Sequence, residues 1–227
     1  MYEGMIAESI LLRGDKGDRI AGYLARPLGP GPFGGVVVIH HAPGYDESSK
    51  EICRKFAYHG FIALCPNLHY RENPTDPAAA ALASRAAGGV PDARCMGDVR
   101  GAMDYMRSLT SCNGKIGVIG YCSGGRQVYL SACNIPDLSA AVNCYGGSVI
   151  MPPDRLSVNQ PVAPIDLTAN IGCPLLGLFG VEDRNPTQED VRQIEEELKR
   201  FGKTYEFHSY ENAGHSFFSI DRPAYRV

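Results

Sequence analysis

Residues 115–125 decide the fold, and their sequence is Lys-Ile-Gly-Val-Ile-Gly-Tyr-Cys-Ser-Gly-Gly. The first seven residues are typical of a buried strand, and the residues after the glycines favour a helix. A Gly-x-Cys-x-Gly pattern between a strand and a helix predicts a sharp elbow with Cys122 at its tip. Glycine is needed at the flanking positions, Gly120 and Gly124, because a side chain there would clash with neighbouring backbone.

Cys122 is a candidate nucleophile because of the place where such an elbow holds it. Its side chain would project from the carboxyl end of the strand, near the positive end of the following helix. That electric field favours a thiolate. The backbone amide of Ser123 would point to the position where an oxyanion forms during acyl transfer. The alternative is an unreactive, buried cysteine in a glycine-rich connection.

Strands and helices alternate on both sides of this elbow. Apolar runs predict strands at 20–24, 36–39, 61–65, 115–121, 140–145, 175–179 and 204–210. Helical patterns follow at 48–59, 78–87, 97–109, directly after the elbow, and from Thr187 to Phe201. The pattern predicts an α/β fold, a mostly parallel sheet with helices on both faces. We expect one domain over residues 1–227, with a proline-rich insertion loop at 151–164.

Composition excludes several classes of function. The chain has 227 residues, 22 basic against 25 acidic side chains, and 44% hydrophobic residues, which are values of a globular protein. Without a basic excess, we expect no nucleic-acid partner and no anionic membrane surface as partner. No apolar run approaches the roughly 18 residues of a membrane span, and the first residues lack a secretory signal. We therefore expect a cytoplasmic protein.

The cysteines and histidines give no pattern for a metal site. Eight cysteines are spread along the chain without a CxxC pair, so we expect reduced thiols rather than a disulfide framework or a zinc site. His40, His41 and His69 could suggest a metal, but no HxH or HExxH pattern supports one. We expect neither a metal nor another cofactor.

Two other strand ends carry candidates for an acid and a base. Glu182 and Asp183 follow the strand at 175–179, and His215 lies in the loop after the last strand. Cys122, Asp183 and His215 therefore occur in the chain order of the α/β-hydrolase triad, each just after a strand. Each of these residues alone would more often be structural, but together they favour a catalytic triad. Glu182 is the alternative acid.

The chain resembles the dienelactone hydrolases, also called carboxymethylenebutenolidases, a family of the α/β-hydrolase fold. The resemblance covers nearly the whole sequence and rests on the cysteine elbow and on segments 61–68, 97–99, 180–183 and 214–217. It implies a Cys–His–Asp hydrolase that acts on esters or lactones without a cofactor.

The chain departs from this family at positions that tune the thiol and bind substrate. In the family's type member a glutamate interacts with the thiol, and His41 stands at that position here. An arginine four residues after the catalytic histidine is replaced by Ser219, with Arg222 three residues further on. We expect Arg71 and Arg85 to substitute for it and predict them, with His41, as substrate contacts. Dienelactone itself is therefore a less favoured substrate than the family name suggests.

The loop at 40–44 is predicted to complete an oxyanion hole. The backbone amide of Ala42 would be the second donor beside that of Ser123. Few residues follow His215, whereas relatives usually finish with another helix, so the chain is either shortened or does without that helix.

The mechanistic hypothesis is acyl transfer from an ester or lactone through a thioester of Cys122. A monomer or a small homo-oligomer with a small-molecule ester or lactone as substrate is expected. Two alternatives stay open. One keeps the triad but acts as a short-chain carboxylesterase or thioesterase. The other is a non-catalytic binding or redox-sensing protein in which Cys122 is only a reactive thiol.

Overall fold

A computed structural model describes residues 1–2, 4–219, 223 and 225. The strands in this part of the chain are β1 (Met5–Arg13), β2 (Arg19–Pro27), β3 (Phe33–Ile39), β4 (Phe61–Pro66), β5 (Cys112–Tyr121), β6 (Ala140–Cys144), β7 (Leu175–Gly180) and β8 (Tyr205–Tyr210). The α-helices are α1 (Glu47–Tyr58), α2 (Pro77–Ala86), α3 (Asp92–Arg107), α4 (Ser123–Asn134) and α5 (Gln188–Arg200). Short 3₁₀ segments span Asp15–Gly17, Pro153–Arg155 and Pro164–Asn170.

These strands form one sheet in the order β1-β2-β4-β3-β5-β6-β7-β8. The pairs β1–β2 and β2–β4 are antiparallel. The other six strands, β3 to β8, are parallel to one another. The predicted, mostly parallel sheet is thus confirmed. Because the carboxyl ends of parallel strands meet at one edge, the loops after β3, β5, β7 and β8 lie together there.

Helices cover both faces of the sheet, as the sequence predicts. Along β3, Val37 and Ile39 belong to one hydrophobic cluster, and Val36 and Val38 belong to the other. This alternation follows from the period of two residues along a strand. Residues of α3, α4 and α5 pack in the first cluster, and residues of α1 pack in the second. The central strands are therefore buried on both sides, which explains their continuous apolar runs.

Two elements differ from the sequence prediction. Strand β1 was not predicted, because it is an edge strand in which only Leu12 is buried and the apolar signal is weak. Helix α3 begins at Asp92 rather than at residue 97, and the added turn buries Cys95 and Met96. The proline-rich stretch at 151–164 contains one 3₁₀ turn and no strand, in agreement with the predicted loop.

All eight cysteines are free thiols. Among the described residues, no helix combines the length and the apolar character that crossing a membrane requires.

Candidate active site

Cys122 lies at the tip of a strained elbow between β5 and α4. Its backbone has φ 55° and ψ −120°, a conformation that a residue with a side chain rarely adopts. The flanking glycines allow the close approach of three backbone segments. A Cβ atom on Gly120 would lie 2.3 Å from the carbonyl oxygen of Gly124, and one on Gly124 would lie 2.3 Å from that of Ile39. The predicted need for glycine at both positions therefore has a specific steric cause.

Asp183 and His215 form a hydrogen-bonded pair at the same edge of the sheet. The Nδ1 atom of His215 lies 2.8 Å from Oδ2 of Asp183, and the other carboxylate oxygen accepts a hydrogen bond of 2.9 Å from the amide of Asn185. The Asp183 side chain is 2% exposed and the His215 side chain 37%. Glu182, the alternative acid, is exposed. The geometry therefore favours Asp183 as the partner of the histidine.

The sulfur of Cys122 completes the arrangement. Hydrogen bonding by His215 and by the backbone amides of Ser123 and Ala42 acts on the pKa of its thiol. Burial raises the pKa of the thiol, but these hydrogen bonds and the charge of His215 outweigh burial and lower it. The bonds to Asp183 and Cys122 raise the pKa of His215 to about 10. Both shifts favour a thiolate–imidazolium pair.

His40 holds the loop that carries Ala42. Its Nδ1 lies 2.9 Å from the carbonyl oxygen of His41, and its Nε2 accepts a 3.1 Å hydrogen bond from the amide of Leu68. Burial lowers the pKa of His40 to about 3, so the ring is neutral, with the proton on Nδ1. The sequence predicts the loop at 40–44 as part of an oxyanion hole but does not show that the ring of His40 holds this loop. Among the described residues, no group of three or more potential metal ligands is present.

A cleft of about 190 Å³ opens beside Ser123 and Ala42. It is bounded by residues of α2 and of the loop that follows this helix, by the first turns of α4, and by the segments that follow β3 and β4. The lining residues are His40, His41, Ala42, Leu68, His69, Ala81, Ser84, Arg85, Gly88, Gly89, Val90, Ser123, Gln127 and Gln160. They include one arginine and no carboxylate, so the cleft suits a neutral or anionic ligand.

Only some of the predicted substrate contacts lie at this cleft. Arg85 lines it, and no described residue forms an ion pair with the guanidinium. His41 also lines the cleft, but its Nε2 is bonded at 2.5 Å to Asp46, the residue that caps α1. Arg71 is not among the lining residues, because its guanidinium forms two 2.9 Å bonds with buried Asp98 and a third with Asp18. These bonds engage the guanidinium within the protein, and the contact of Arg71 with substrate stays a prediction.

Tyr145 is a site residue that the sequence did not suggest. It follows β6, is fully buried, and has φ 41°, an outlier for a bulky residue. Its ring packs edge-on against His215 with 5.3 Å between the ring centroids, and its hydroxyl lies 3.4 Å from Oγ of Ser219. Ser219 thus has a packing role. Arg222 lies outside the described residues.

The sheet order, the elbow after β5 and the loops after β7 and β8 define the class of proteins with the α/β-hydrolase fold. The Pyrococcus horikoshii acylaminoacyl peptidase, which is 15% identical with a TM-score of 0.77 over 98% of this chain and 39% of its own, shares that fold. More specifically, the sequence model of the dienelactone hydrolase family matches residues 20–226. The chain belongs to this family and is a hydrolase of carboxylic ester or lactone bonds.

The similarity of individual relatives supports the assignment to this family. A provisionally named carboxymethylenebutenolidase of Escherichia coli K12 is 35% identical over 93% of this chain and 78% of its own. A Bradyrhizobium protein, provisionally named as a 2-oxo-3-(5-oxofuran-2-ylidene)propanoate lactonase, is 29% identical over 94% of this chain and 85% of its own. The crystal structure of a provisionally named dienelactone hydrolase from Klebsiella pneumoniae has a TM-score of 0.87 at 28% identity and covers 99% of this chain and 92% of its own.

Proposed function

We propose that the protein hydrolyses carboxylic esters or lactones through a thioester of Cys122, with His215 as the base and acid and Asp183 as its partner. The observation that carries the proposal is the 2.8 Å contact between His215 and buried Asp183, next to a Cys122 thiol whose pKa His215 lowers. A strained elbow holds this thiol at the end of β5. This is the arrangement that nucleophilic catalysis requires.

In the acylation step the thiolate of Cys122 attacks the carbonyl carbon, and the electron pair of the C=O bond moves onto oxygen. The amides of Ser123 and Ala42 stabilise this oxyanion, and losing one such donor typically costs about 2.7–4 kcal/mol in the barrier. As the tetrahedral intermediate collapses, the C–O bond breaks and the imidazolium of His215 protonates the alkoxide. The acyl group remains on sulfur as a thioester.

In the deacylation step His215, now neutral, accepts a proton from water. The resulting hydroxide attacks the thioester carbonyl at the same oxyanion hole. The C–S bond breaks, the thiolate of Cys122 is restored, and the carboxylic acid leaves. Asp183 keeps the imidazole in the tautomer that this step needs, with the proton on Nδ1 and the lone pair on Nε2.

The chemistry of the thiolate and the charge of the cleft narrow the class of substrate. A thiolate leaves more readily than an alkoxide, so the acylation intermediate returns to substrate unless the leaving group is stabilised. Lactones and activated esters are therefore favoured, and amides are not. Arg85 is a cation in a cleft without carboxylates, which suits a substrate with its own carboxylate. The compound named for the Bradyrhizobium relative is a lactone of this kind.

A second candidate function is short-chain carboxylesterase or thioesterase activity with the same three residues. The small volume of the cleft, about 190 Å³, favours it, because a long acyl chain would not fit. Comparing lactones, alkyl esters and thioesters of equal acyl length separates the two functions.

The test is turnover of p-nitrophenyl acetate by the wild-type protein and by Cys122→Ala at several pH values. Activity that disappears in the variant supports the proposal, and activity that survives contradicts it. If neither protein hydrolyses the ester or a lactone panel, rapid alkylation of Cys122 would instead indicate a binding or redox-sensing protein.

A further inference from the structure

Gln127 places an amide group next to the elbow. It lies four residues after Ser123, one turn along the same face of α4. The residue is 6% exposed and lines the cleft, yet no described residue forms a hydrogen bond with its side-chain amide. The atoms of the amide themselves keep access to the cleft, and no hydrogen bond within the described residues engages them. The amide is therefore available to a ligand.

His69 and Ser84 add two more unpaired polar groups to the same cleft. His69 is 5% exposed, and its Nδ1 is buried without a hydrogen-bond partner. Burial comes first among the causes that lower the pKa of His69, so its ring is neutral. An unpaired acceptor is tolerated better than an unpaired N–H, which favours the tautomer with the proton on Nε2. The Oγ atom of Ser84 is buried and unpaired as well.

The cleft lies on the acyl side of the reacting carbonyl. The leaving group must lie next to His215, which protonates it, and His215 lines a separate depression with Arg184 and Asn185. His215 does not line the cleft, whereas both oxyanion-hole residues, Ser123 and Ala42, do. The acyl chain of a substrate held in that oxyanion hole would therefore extend into the cleft.

The buried part of the cleft suits a neutral oxygen rather than a carboxylate. Its unpaired groups, on Gln127, His69 and Ser84, are all uncharged, whereas the guanidinium of Arg85 lies on an exposed residue. Burying a carboxylate among neutral groups is strongly unfavourable, but a carbonyl oxygen needs only a donor such as the amide of Gln127, and a hydroxyl can in addition donate to an acceptor such as Nδ1 of His69.

We propose that Gln127 is a specificity-determining residue, whose amide, with His69 beside it in the cleft, donates a hydrogen bond to a carbonyl or hydroxyl oxygen on the acyl chain. The inference rests on the proposed ester or lactone hydrolysis and adds to it a class of substrate, oxygen-substituted acyl groups. A site built to bind such an oxygen discriminates against the plain alkyl analogue, because its buried donors are then left unpaired.

The test compares p-nitrophenyl keto-acyl esters, levulinate first, with the alkanoates of the same chain length. We expect kcat/KM for at least one keto ester to exceed that of its alkanoate by about tenfold, which is the factor that one good hydrogen bond contributes. Gln127→Met, with a side chain of similar length and no donor, should bring this ratio close to one. The ratio is internal to each protein, so a smaller folded fraction does not affect it. Gln193→Met, on the exposed face of α5, is the matched control and should keep the wild-type ratio.

The outcomes separate this inference from the proposed function. If the esters are hydrolysed through Cys122 without a preference for any keto ester, or if Gln127→Met keeps the preference, the inference fails and the proposed function stands. If no ester is hydrolysed, calorimetric titration with levulinate and pentanoate decides instead. Tighter binding of levulinate by the wild type but not by Gln127→Met supports the subsite, and equal binding overturns it.

Discussion

Asp183 and His215 meet at 2.8 Å, and the carboxylate of this pair is almost completely buried while the imidazole is more than one third exposed. The pair therefore has a fixed inner end and an accessible outer end. The buried acid orients the ring through Nδ1, which leaves the opposite ring edge for Cys122 and for a leaving group. Tyr145 packs against the ring and further restricts its orientation.

Replacing the buried acid should impair turnover without changing the cleft. We expect Asp183→Asn to lower kcat for activated esters by about 10²–10⁴-fold, because an amide at this position favours the wrong tautomer of His215. Stopped-flow and steady-state rates with p-nitrophenyl acetate measure the effect. Glu182→Gln, a matched change at the adjacent exposed residue, should stay within about twofold, as surface changes usually do. Equal losses in both variants would argue against the assignment of Asp183.

The pH at which Cys122 reacts should depend on His215. The thiolate is the reactive form, so the rate of alkylation rises with pH, and the lowered pKa of Cys122 moves this rise below pH 9.0, the ordinary value for the thiol. In His215→Ala the hydrogen bond is lost and only burial and the amides act, so the rise should move to higher pH. Iodoacetamide labelling, followed by peptide mass spectrometry, measures the rate at Cys122 alone.

Buried Cys144 is an internal control for that labelling, because burial raises the pKa of its thiol and keeps it unreactive. A labelling profile that is unchanged in His215→Ala would contradict the proposed ion pair.

The proton of His215 is lost near pH 10, so kcat/KM for esters should fall above that pH as the acid for the leaving group disappears.

A side chain at the elbow should destabilise the fold. In Gly124→Ala the new Cβ would lie 2.3 Å from the carbonyl oxygen of Ile39, a backbone atom that cannot move without shifting β3. We expect the free energy of unfolding to fall by about 1–3 kcal/mol or more, as measured by urea denaturation. Gly172→Ala is the control, since its nearest neighbour would be at 3.8 Å. A Gly124→Ala protein as stable as the control would show that the elbow accommodates a side chain at this position.

Arg85 should select substrates with a carboxylate. We expect Arg85→Gln to lower kcat/KM for p-nitrophenyl hemisuccinate about two- to fivefold relative to p-nitrophenyl butanoate, the range for an exposed ion pair at low salt. Arg155→Gln, at an exposed arginine outside the cleft, should leave that ratio unchanged. A ratio that is the same in the wild type and in Arg85→Gln would exclude a carboxylate contact at this position.

Much of the fold could be predicted because local pattern and tertiary position agree in the central strands. Val36–Ile39 is apolar on both faces in sequence and is buried on both faces in the sheet. Strand β1 could not be recognised in this way, since its pairing with β2 depends on backbone hydrogen bonds that leave no apolar pattern. The start of α3 was missed because its first turn has a proline at the N-cap position instead of a capping side chain.

The site could be predicted in part for a related reason. Cys122, Asp183 and His215 each follow a strand, and chain order alone brings them to one edge of the sheet. Arg71 is different, because its partner Asp98 lies 27 residues away in sequence, and no local pattern reveals that an arginine is already paired. Gln127 carried a usable signal, an uncharged polar residue one turn beyond the elbow, but its burial depends on how α2 closes the cleft.

The most direct test of the central claim is to identify the residue that carries the acyl group during turnover. The wild-type protein is mixed with p-nitrophenyl acetate, quenched in acid within milliseconds, digested and analysed by peptide mass spectrometry. The account predicts an acetyl group on Cys122 that hydroxylamine removes, and no such adduct in Cys122→Ala, which should also lack turnover. An acetyl group on a different residue that turns over at the rate of hydrolysis, or full activity in Cys122→Ala, would contradict it.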